Sequence, residues 1–408
     1  MNYKEQANFL MSNTEFGDET LRSNMLKELE IKLSEDRPLN VYCGYDPTAV
    51  DLTLGHIITM RKLRDFQQLG HKVTFLIGGF TGLIGDPSDK DKKRPMLTKE
   101  QLENNSKEYT RQAYKILDPS LTNIRSNEEW LESISSNEFI KLCSHFTVAQ
   151  FLERDNFAKR WKAQDPIYLS EFLYALMQGY DAVQLNADVQ IGGSDQLFNL
   201  MAGRILQREF DQNPQIIVTL PILVGTDGKL RMSKSTGNSI GLDEAPNEMY
   251  GKIMSIPDIA VKNYFNLLTN ISHEELTQLY EDVESKKLLK IDLKKKLAEL
   301  IITEIFSITE AEQAKAYFEN TFQKGVTPSE MVEFKLSQIS DDERKLSRIL
   351  NLAKLPNGQK FAKSISEGRR LITQNAISVN NEKISDDVYL NVGDEVRVGR
   401  FKFLRLID

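Results

Sequence analysis

Two short segments carry residue types suited to holding a phosphorylated ligand. In the first, Gly55 and His56 come after an apolar run, Leu39 to Tyr45, that reads as a buried strand, and before a helical pattern over Ile57 to Leu69. This spacing puts them at a helix N-terminus, where unpaired backbone N–H groups and the helix dipole attract phosphate. Gly55, without a side chain, allows close approach of a flat or bulky ligand. In the second, Arg231-Met232-Ser233-Lys234-Ser235 sets two cations and two hydroxyls on a loop between Gly225/Gly228 and Gly237/Gly241. Such a loop suits a polyphosphate whose charge shifts during reaction, with its mobility as part of the mechanism. A third cluster, Tyr174, Gln178 and Asp181, has the i, i+4, i+7 spacing of one helical face. Three polar groups on one face fit a binding pocket better than a packed core, although Asp181 taken singly reads as an ordinary surface acid and Tyr42 as a core aromatic. Together these segments point to a nucleotide-using enzyme.

The elements that must position them alternate along the chain. Lys72 to Gly79 is followed by a helical pattern over Lys99 to Leu117, Ala187 to Gly192 by one over Ser194 to Phe210, and Gln215 to Leu223 closes the series. Alternation of this kind predicts an α/β fold, a Rossmann-like doubly wound parallel sheet with helices on both faces. Its ligands bind beyond the carboxyl ends of the strands, where Gly44 to Asp46, Gly79 to Asp86 and Gly192 to Gln196 all fall. Residues 98–169 read as a mainly helical insertion within a first domain over 1–243. A helical domain follows over 244–325, in which Leu288, Ile291, Leu297, Leu300 and Ile301 form an apolar face. Lys287, Lys290, Lys294, Lys295 and Lys296 lie largely elsewhere, as a solvated face or an RNA contact. Residues 326–343 read as a linker. The last domain, 344–408, has a helix carrying Gly368 to Ile372, a hairpin-like unit over Ala376 to Ile384, and a strand pair around Gly393 and Gly399.

Bulk properties narrow the function. At 408 residues the chain exceeds one ordinary core, and 40% hydrophobic content is ample for globular domains. No run approaches the ~20 apolar residues that cross a bilayer, and residues 1–31 carry both charge signs where a signal peptide needs an apolar run. A cytoplasmic protein without a membrane partner is expected. Two cysteines make no disulfide framework, and four scattered histidines give no zinc-like spacing. The net charge of −7 is uneven: residues 344–408 hold 13 Lys plus Arg against 7 Asp plus Glu, or +6, leaving −13 for the rest. A basic module on an acidic body suits phosphate contact through counterion release, or is simply a lysine-rich surface.

The two loop segments resemble the HIGH and KMSKS signatures of class I aminoacyl-tRNA synthetases, and the residues between them resemble bacterial tyrosyl-tRNA synthetases. The resemblance runs from about residue 33 to the C-terminus. Its most specific pieces are Tyr42 to Ala49, Phe80 to Ser88, Glu171 to Asp181 and Gln190 to Gln196. It implies a two-step ligase: tyrosine reacts with ATP, accompanied by Mg2+, to give tyrosyl-adenylate, and tRNA(Tyr) then accepts the amino acid. Neither step demands a protein nucleophile, so positioning and charge stabilisation should dominate and Cys43 should not act as one.

By the same resemblance, Tyr42 and Asp181 recognise the substrate phenol, and Tyr174, Gln178 and Asp86 hold its α-ammonium group, with Asp46 nearby. Gln190 and Gln196 match positions near the carboxylate and ribose. Cys43, Gly44, Gly55, Gly192 and Asp195 match positions around the nucleoside, Thr48 and His56 the phosphate and adenine sides. Lys90, Arg94, Arg231, Lys234 and Ser235 match the grip on the departing pyrophosphate. The insertion matches the family's homodimer-forming region. The C-terminal segment resembles a small RNA-binding domain of ribosomal proteins, with Arg369 and Arg370 toward phosphate or capping a helix. Two positions depart from the pattern: Thr53 stands where histidine usually begins the first signature, and Arg231 where lysine begins the second. A functional enzyme is still expected, because Gly55, His56, Lys234 and the tyrosine pocket match. The alternatives are a tryptophan-specific relative, opposed by Tyr42, Asp181 and the C-terminal module, and a paralogue that binds RNA or uses another acceptor.

Overall fold

Five short runs become the strands β1 (Asn40–Tyr45), β2 (Lys72–Ile77), β3 (Thr122–Ser126), β4 (Val189–Gly193) and β5 (Ile216–Leu220). In the computed structural model, which describes residues 1–86, 97–323, 331–355, 358, 360–399 and 402–408, they pair in parallel in the order β3-β2-β1-β4-β5. Every residue of β5 is buried, as a parallel strand covered on both faces requires. The chain moves outward from β1 to β2 and β3 on one side and to β4 and β5 on the other. The strand order therefore reverses between β1 and β4, which opens a crevice at their carboxyl ends.

β3 lies within the stretch read from sequence as mainly helical. Thr-Asn-Ile-Arg-Ser offers one apolar residue to pattern recognition, yet an edge strand that pairs only with β2 needs no more. The remainder of that stretch is helical, with Lys99–Ala113, Ser136–Ser144 and Asp155–Lys162 among its helices. The helix Leu54–Gln68 begins three residues before the predicted Ile57, with Thr53 as its N-cap.

The helices Leu169–Gln184 and Leu197–Glu209 cross closely because Gly179 has no side chain: a Cβ there would lie 3.0 Å from the Ala202 carbonyl carbon. Farther along, the helices Pro246–Ser255, Asp258–Leu268, His273–Glu284 and Lys290–Ile305 confirm the helical pattern but rotate its apolar face. Leu293, Leu297, Ala298, Ile301, Ile302 and Ile305 are buried, whereas Ile291 is exposed and Leu288 only half-buried. Helix formation starts at Lys290, so the register differs from one drawn through Leu288. Lys294 is mostly buried, donating to Ile256 O at 2.7 Å and pairing with Asp258 at 2.8 Å. That lysine is a structural cation and not a solvated one.

The described residues divide into two compact units, Met1–Ala311 and Glu312–Asp408. In the second, β6 (Val332–Lys335), β7 (Ile377–Val379), β8 (Glu382–Lys383), β9 (Glu395–Val398) and β10 (Lys402–Ile407) form a sheet ordered β6-β10-β9-β7-β8. β6 falls inside the segment read as a linker: Val332 and Phe334 alternate with charged residues and pack on the core, a pattern too short to register in sequence. Asn380 and Asn381 turn the β7–β8 hairpin with φ of 49° and 69°, values that asparagine tolerates. The helices Leu346–Leu352 and Ile365–Thr373 touch at Gly368, where a Cβ would lie 3.1 Å from the Ser347 backbone.

Asp188, just before β4, ties the first unit's sheet to the segment that leads into β1. It accepts Lys32 Nζ at 2.8 Å, Arg37 Nη1 at 2.7 Å and the Asn40 N–H at 2.9 Å. Burial opposes its ionisation, but these hydrogen bonds prevail and pull its pKa down to about 2. A depressed folded-state pKa stabilises above the unfolded value and loses that contribution as pH falls through the folded one. Asp188→Ala should lower the unfolding free energy by roughly 3 kcal/mol at pH 7, because it strands buried Lys32 without its counter-ion. In urea titrations the gap to wild type should close as pH falls from about 4 toward 2.

Candidate active site

The crevice between β1 and β4 is lined by Cys43, Gly44 and Asp46 from the end of β1 and by Gly192, Asp195 and Gln196 after β4. Gly55 and His56 line it from the helix N-terminus, Tyr174, Gln178 and Asp181 from the helix Leu169–Gln184, and Asp86 and Arg231 from loops. Thirteen residues singled out by sequence thus share one cavity. Tyr42 and Gln190 lie beneath it, opposite each other on adjacent strands and fully buried. Thr48 sits in the turn after β1, and Lys234 and Ser235 on the exposed part of their loop. Lys90 and Arg94 lie outside the described residues.

One face of the cavity is a continuous hydrogen-bonded chain. Asp181 accepts Trp130 Nε1 at 2.8 Å and Asn127 Nδ2 at 3.3 Å; Asn127 also donates to Thr81 Oγ1 at 3.0 Å. Thr81 and Tyr174 each donate to Asp46, at 2.7 and 2.9 Å. Gly78 belongs to this chain by what it lacks, since a Cβ there would lie 2.0 Å from Asp46 Oδ1. Sequence reading missed Asn127, Trp130 and Gly78, and gave Thr81 no role of its own within Phe80 to Ser88; the first two are brought in by β3, the strand it also missed. Asp181 is buried, so it is not the surface acid it could have been, and burial pushes its pKa up to about 8 against the two N–H donors. Gln178 Oε1, in the cavity lining, is buried without a hydrogen-bond partner among the described residues. Polar atoms left so are expected where a ligand completes the pattern.

The phosphate-attracting end is organised by Thr53. Its backbone N–H donates to His56 Nδ1 at 3.0 Å, and its hydroxyl lies 3.0 Å from the same nitrogen. An N–H can only donate, so Nδ1 is the acceptor and the neutral ring carries its proton on Nε2. Burial, then the cations of Arg231 and Lys234, push the His56 pKa down to about 4. Cys43 is pushed up to about 11 by burial, which leaves it a thiol at neutral pH.

The Arg231 loop is tied to this same segment. Thr53 and Gly241 form an antiparallel bridge, Leu54 N–H donates to Ile240 O at 3.0 Å, and Leu242 N–H to Leu52 O at 2.9 Å. Arg231 Nη1 meets Asp195 Oδ2 at 2.6 Å, and burial pushes the Asp195 pKa up to about 6. Inside the loop, buried Asn238 accepts from Ser233 N–H at 2.8 Å and Thr236 Oγ1 at 2.7 Å, and donates to Asp227 at 2.7 Å and Arg231 O at 3.1 Å. Gly225 makes room for it, because a Cβ there would lie 2.2 Å from its side chain. Nothing in the residue pattern distinguished Asn238 from an ordinary turn asparagine.

A doubly wound parallel sheet whose crevice joins a helix N-terminus to a cationic loop defines a class of nucleotide-binding α/β protein. The chain belongs to the family described as tRNA synthetases class I (W and Y), which matches residues 34–323. It is 47% identical over 383 residues to a tyrosine–tRNA ligase of Haemophilus ducreyi, covering 93% of this chain and 94% of that one. A tyrosine–tRNA ligase of Aquifex aeolicus is 44% identical over 385 residues, covering 94% and 95%. Among solved structures, a C-terminally truncated mitochondrial tyrosyl-tRNA synthetase of Aspergillus nidulans shares the fold with TM-score 0.62 at 22% identity, over 79% of this chain and 94% of that one. A tyrosyl-tRNA synthetase of Archaeoglobus fulgidus complexed with L-tyrosine gives TM-score 0.60 at 20% identity, covering 77% and 99%. No helix of the described residues is long and apolar enough to cross a membrane.

Asn238→Ala should leave the far-UV circular dichroism unchanged while the loop opens. Losing its hydrogen bonds at a buried site should speed trypsin cleavage after Arg231 and Lys234 of the native protein roughly ten-fold. Unchanged cleavage would mean that the loop is held by something other than Asn238.

Proposed function

We propose that this protein is a tyrosine–tRNA ligase. The tyrosine carboxylate attacks the α-phosphorus of ATP, the bond to the β-phosphate oxygen breaks, and pyrophosphate leaves. The terminal ribose hydroxyl of tRNA(Tyr) then attacks the carbonyl carbon of the adenylate and AMP leaves. Relatives 44% and 47% identical over more than nine-tenths of both chains support the reaction, and the single observation that carries the substrate is the buried Asp181 carboxyl set between Trp130 and Asn127. Its two donors leave lone pairs for a phenol, and buried Tyr42 lies close enough for the Asp181 charge to oppose its ionisation. Phenylalanine would leave those remaining lone pairs of the buried carboxyl without a donor. The discrimination measured for tyrosyl-tRNA synthetases, about 10⁵ against phenylalanine, is itself the reference case for this effect.

The same reading assigns the other roles. Asp46 and Tyr174, hydrogen-bonded together, and Gln178 and Asp86 offer acceptors for the α-ammonium group. Gly44, Gly55, Gly192 and Cys43 border the nucleoside, and Asp195 and Gln196 face the ribose, with Gln190 supporting from below. His56 presents a neutral Nε2–H donor. Thr48, Arg231, Lys234 and Ser235, with Lys90 and Arg94, hold the polyphosphate, and magnesium enters with ATP as part of the substrate. Ile140, Val148 and Trp161, 62–66% exposed on the inserted helices, support a homodimer through this region. Arg369 and Arg370, both 65% exposed on the basic C-terminal unit, support contact with tRNA phosphates. A site in the cytoplasm follows from the work of charging tRNA.

Purified protein with ATP and magnesium should attach labelled tyrosine to total bacterial tRNA, and excess phenylalanine should not suppress it. Folded protein that fails to charge a validated tRNA pool would instead favour a paralogue with another acceptor. The pH dependence tests Asp181 directly. Its carboxyl is protonated below about 8 and ionised above, and the phenol donates to the ionised form, so kcat/KM for tyrosine should rise as pH climbs through that value. Trp130→Phe removes a hydrogen bond to a charged group; it should move the rise to higher pH and raise KM for tyrosine roughly ten-fold, leaving KM for ATP unchanged. An unshifted profile would assign the titration to another group.

A further inference from the structure

Both cations of the segment from Arg231 to Ser235 have carboxylate partners: Arg231 meets Asp195, and Lys234 Nζ meets Asp51 Oδ2 at 3.0 Å. The second pair links the two signature segments. Asp51 lies just before the N-cap Thr53, and the residues between them and beyond Lys234 are held in register, since Leu242 N–H donates to Leu52 O and Thr53 bridges Gly241. The backbone thus fixes the segment carrying the carboxylate against the loop carrying the ammonium. The side chains of Lys234 and Asp51 are 36% and 44% exposed, which leaves the pair in contact with water and easily exchanged.

We infer that Asp51 is a positioning residue, the resting counter-ion of Lys234, and that ATP binding exchanges this carboxylate for polyphosphate oxygens. The inference rests on the reading that Lys234 contacts the polyphosphate. A parked Lys234 keeps the loop ordered and its charge compensated while the cavity has no nucleotide. A phosphate with more negative charge then displaces one solvated carboxylate. Breaking the pair opposes ATP binding slightly, so its removal should tighten ATP, whereas loss of a direct ligand would weaken it.

Calorimetric binding of Mg-ATP without tyrosine, where no adenylate can form, tests this in a double-mutant cycle. Asp51→Asn should tighten ATP by about two- to five-fold, the span of an exposed ion pair, and Asp51→Ser should act in the same direction. Lys234→Ala should weaken ATP, and Asp51→Asn should have no effect in that background. Tightening of equal size with and without Lys234 would overturn the inference in favour of a general charge effect, as would weaker or unchanged binding in the single Asp51 variants. If Lys234→Ala leaves ATP affinity intact, the role given to the loop itself fails, an outcome distinct from failure of the Asp51 exchange. Circular dichroism of each variant checks the fold.

Discussion

A carboxyl group with almost no access to water must be supplied with hydrogen bonds by the protein, and Asp181 sets that demand for this site. Trp130 and Asn127 meet it from the segment after β3, which explains why a weakly apolar edge strand is built onto the sheet there. Asn127 passes the ordering on to Thr81 and Asp46, so residues from four separate stretches of chain become one polar wall. The close crossing of two helices at Gly179 holds Gln178 and Asp181 against that wall. A pocket of this kind reads a hydroxyl by the penalty of leaving a buried polar group unpaired, which far exceeds the net value of an ordinary hydrogen bond.

The end of the site proposed to hold phosphate depends on a different constraint, the pairing of two distant loops. Backbone hydrogen bonds, Leu242 N–H to Leu52 O and Leu54 N–H to Ile240 O, make the helix N-terminus and the cationic loop parts of one assembly. Thr53 acquires a meaning here that its side chain alone did not suggest. At the N-cap it contacts His56 Nδ1 and thereby sets which ring nitrogen carries the proton. The donor is its backbone N–H, so the tautomer of His56 is set by the N-cap position and not by the residue type at 53. Arg231, the other departure, is long enough to reach Asp195 from the loop.

Charge is divided between the two units in the same sense as the proposed labour. The acidic first unit holds its buried cations, Lys32 and Lys294 among them, with carboxylates and carbonyls. The second unit exposes Arg369 and Arg370 on one helix, with only loose contacts to Asp387 and Glu367 at 3.5 and 3.6 Å. Loosely paired surface arginines remain available to phosphate, since such pairs contribute little.

The alternation of apolar runs and helical patterns was enough to read a parallel doubly wound sheet, because strands buried on both faces must be apolar and their crossovers must be amphipathic. Gly55, His56 and the Arg231 loop were likewise legible, since helix termini and glycine-bounded loops leave local marks. β3, β6 and the register of the helix Lys290–Ile305 were not: an edge strand or a four-residue strand needs too few apolar residues to stand out, and a helix face depends on where its first turn is set. Only the tertiary structure revealed Asn127, Trp130 and Gly78, whose importance comes from what they touch across long sequence separations, and Asn238, whose contacts depend on how its loop folds back on itself. The same holds for protonation: residue type says that Asp181 and His56 can titrate, while burial and neighbouring charges decide that one carboxyl rises to about 8 and one imidazole falls to about 4.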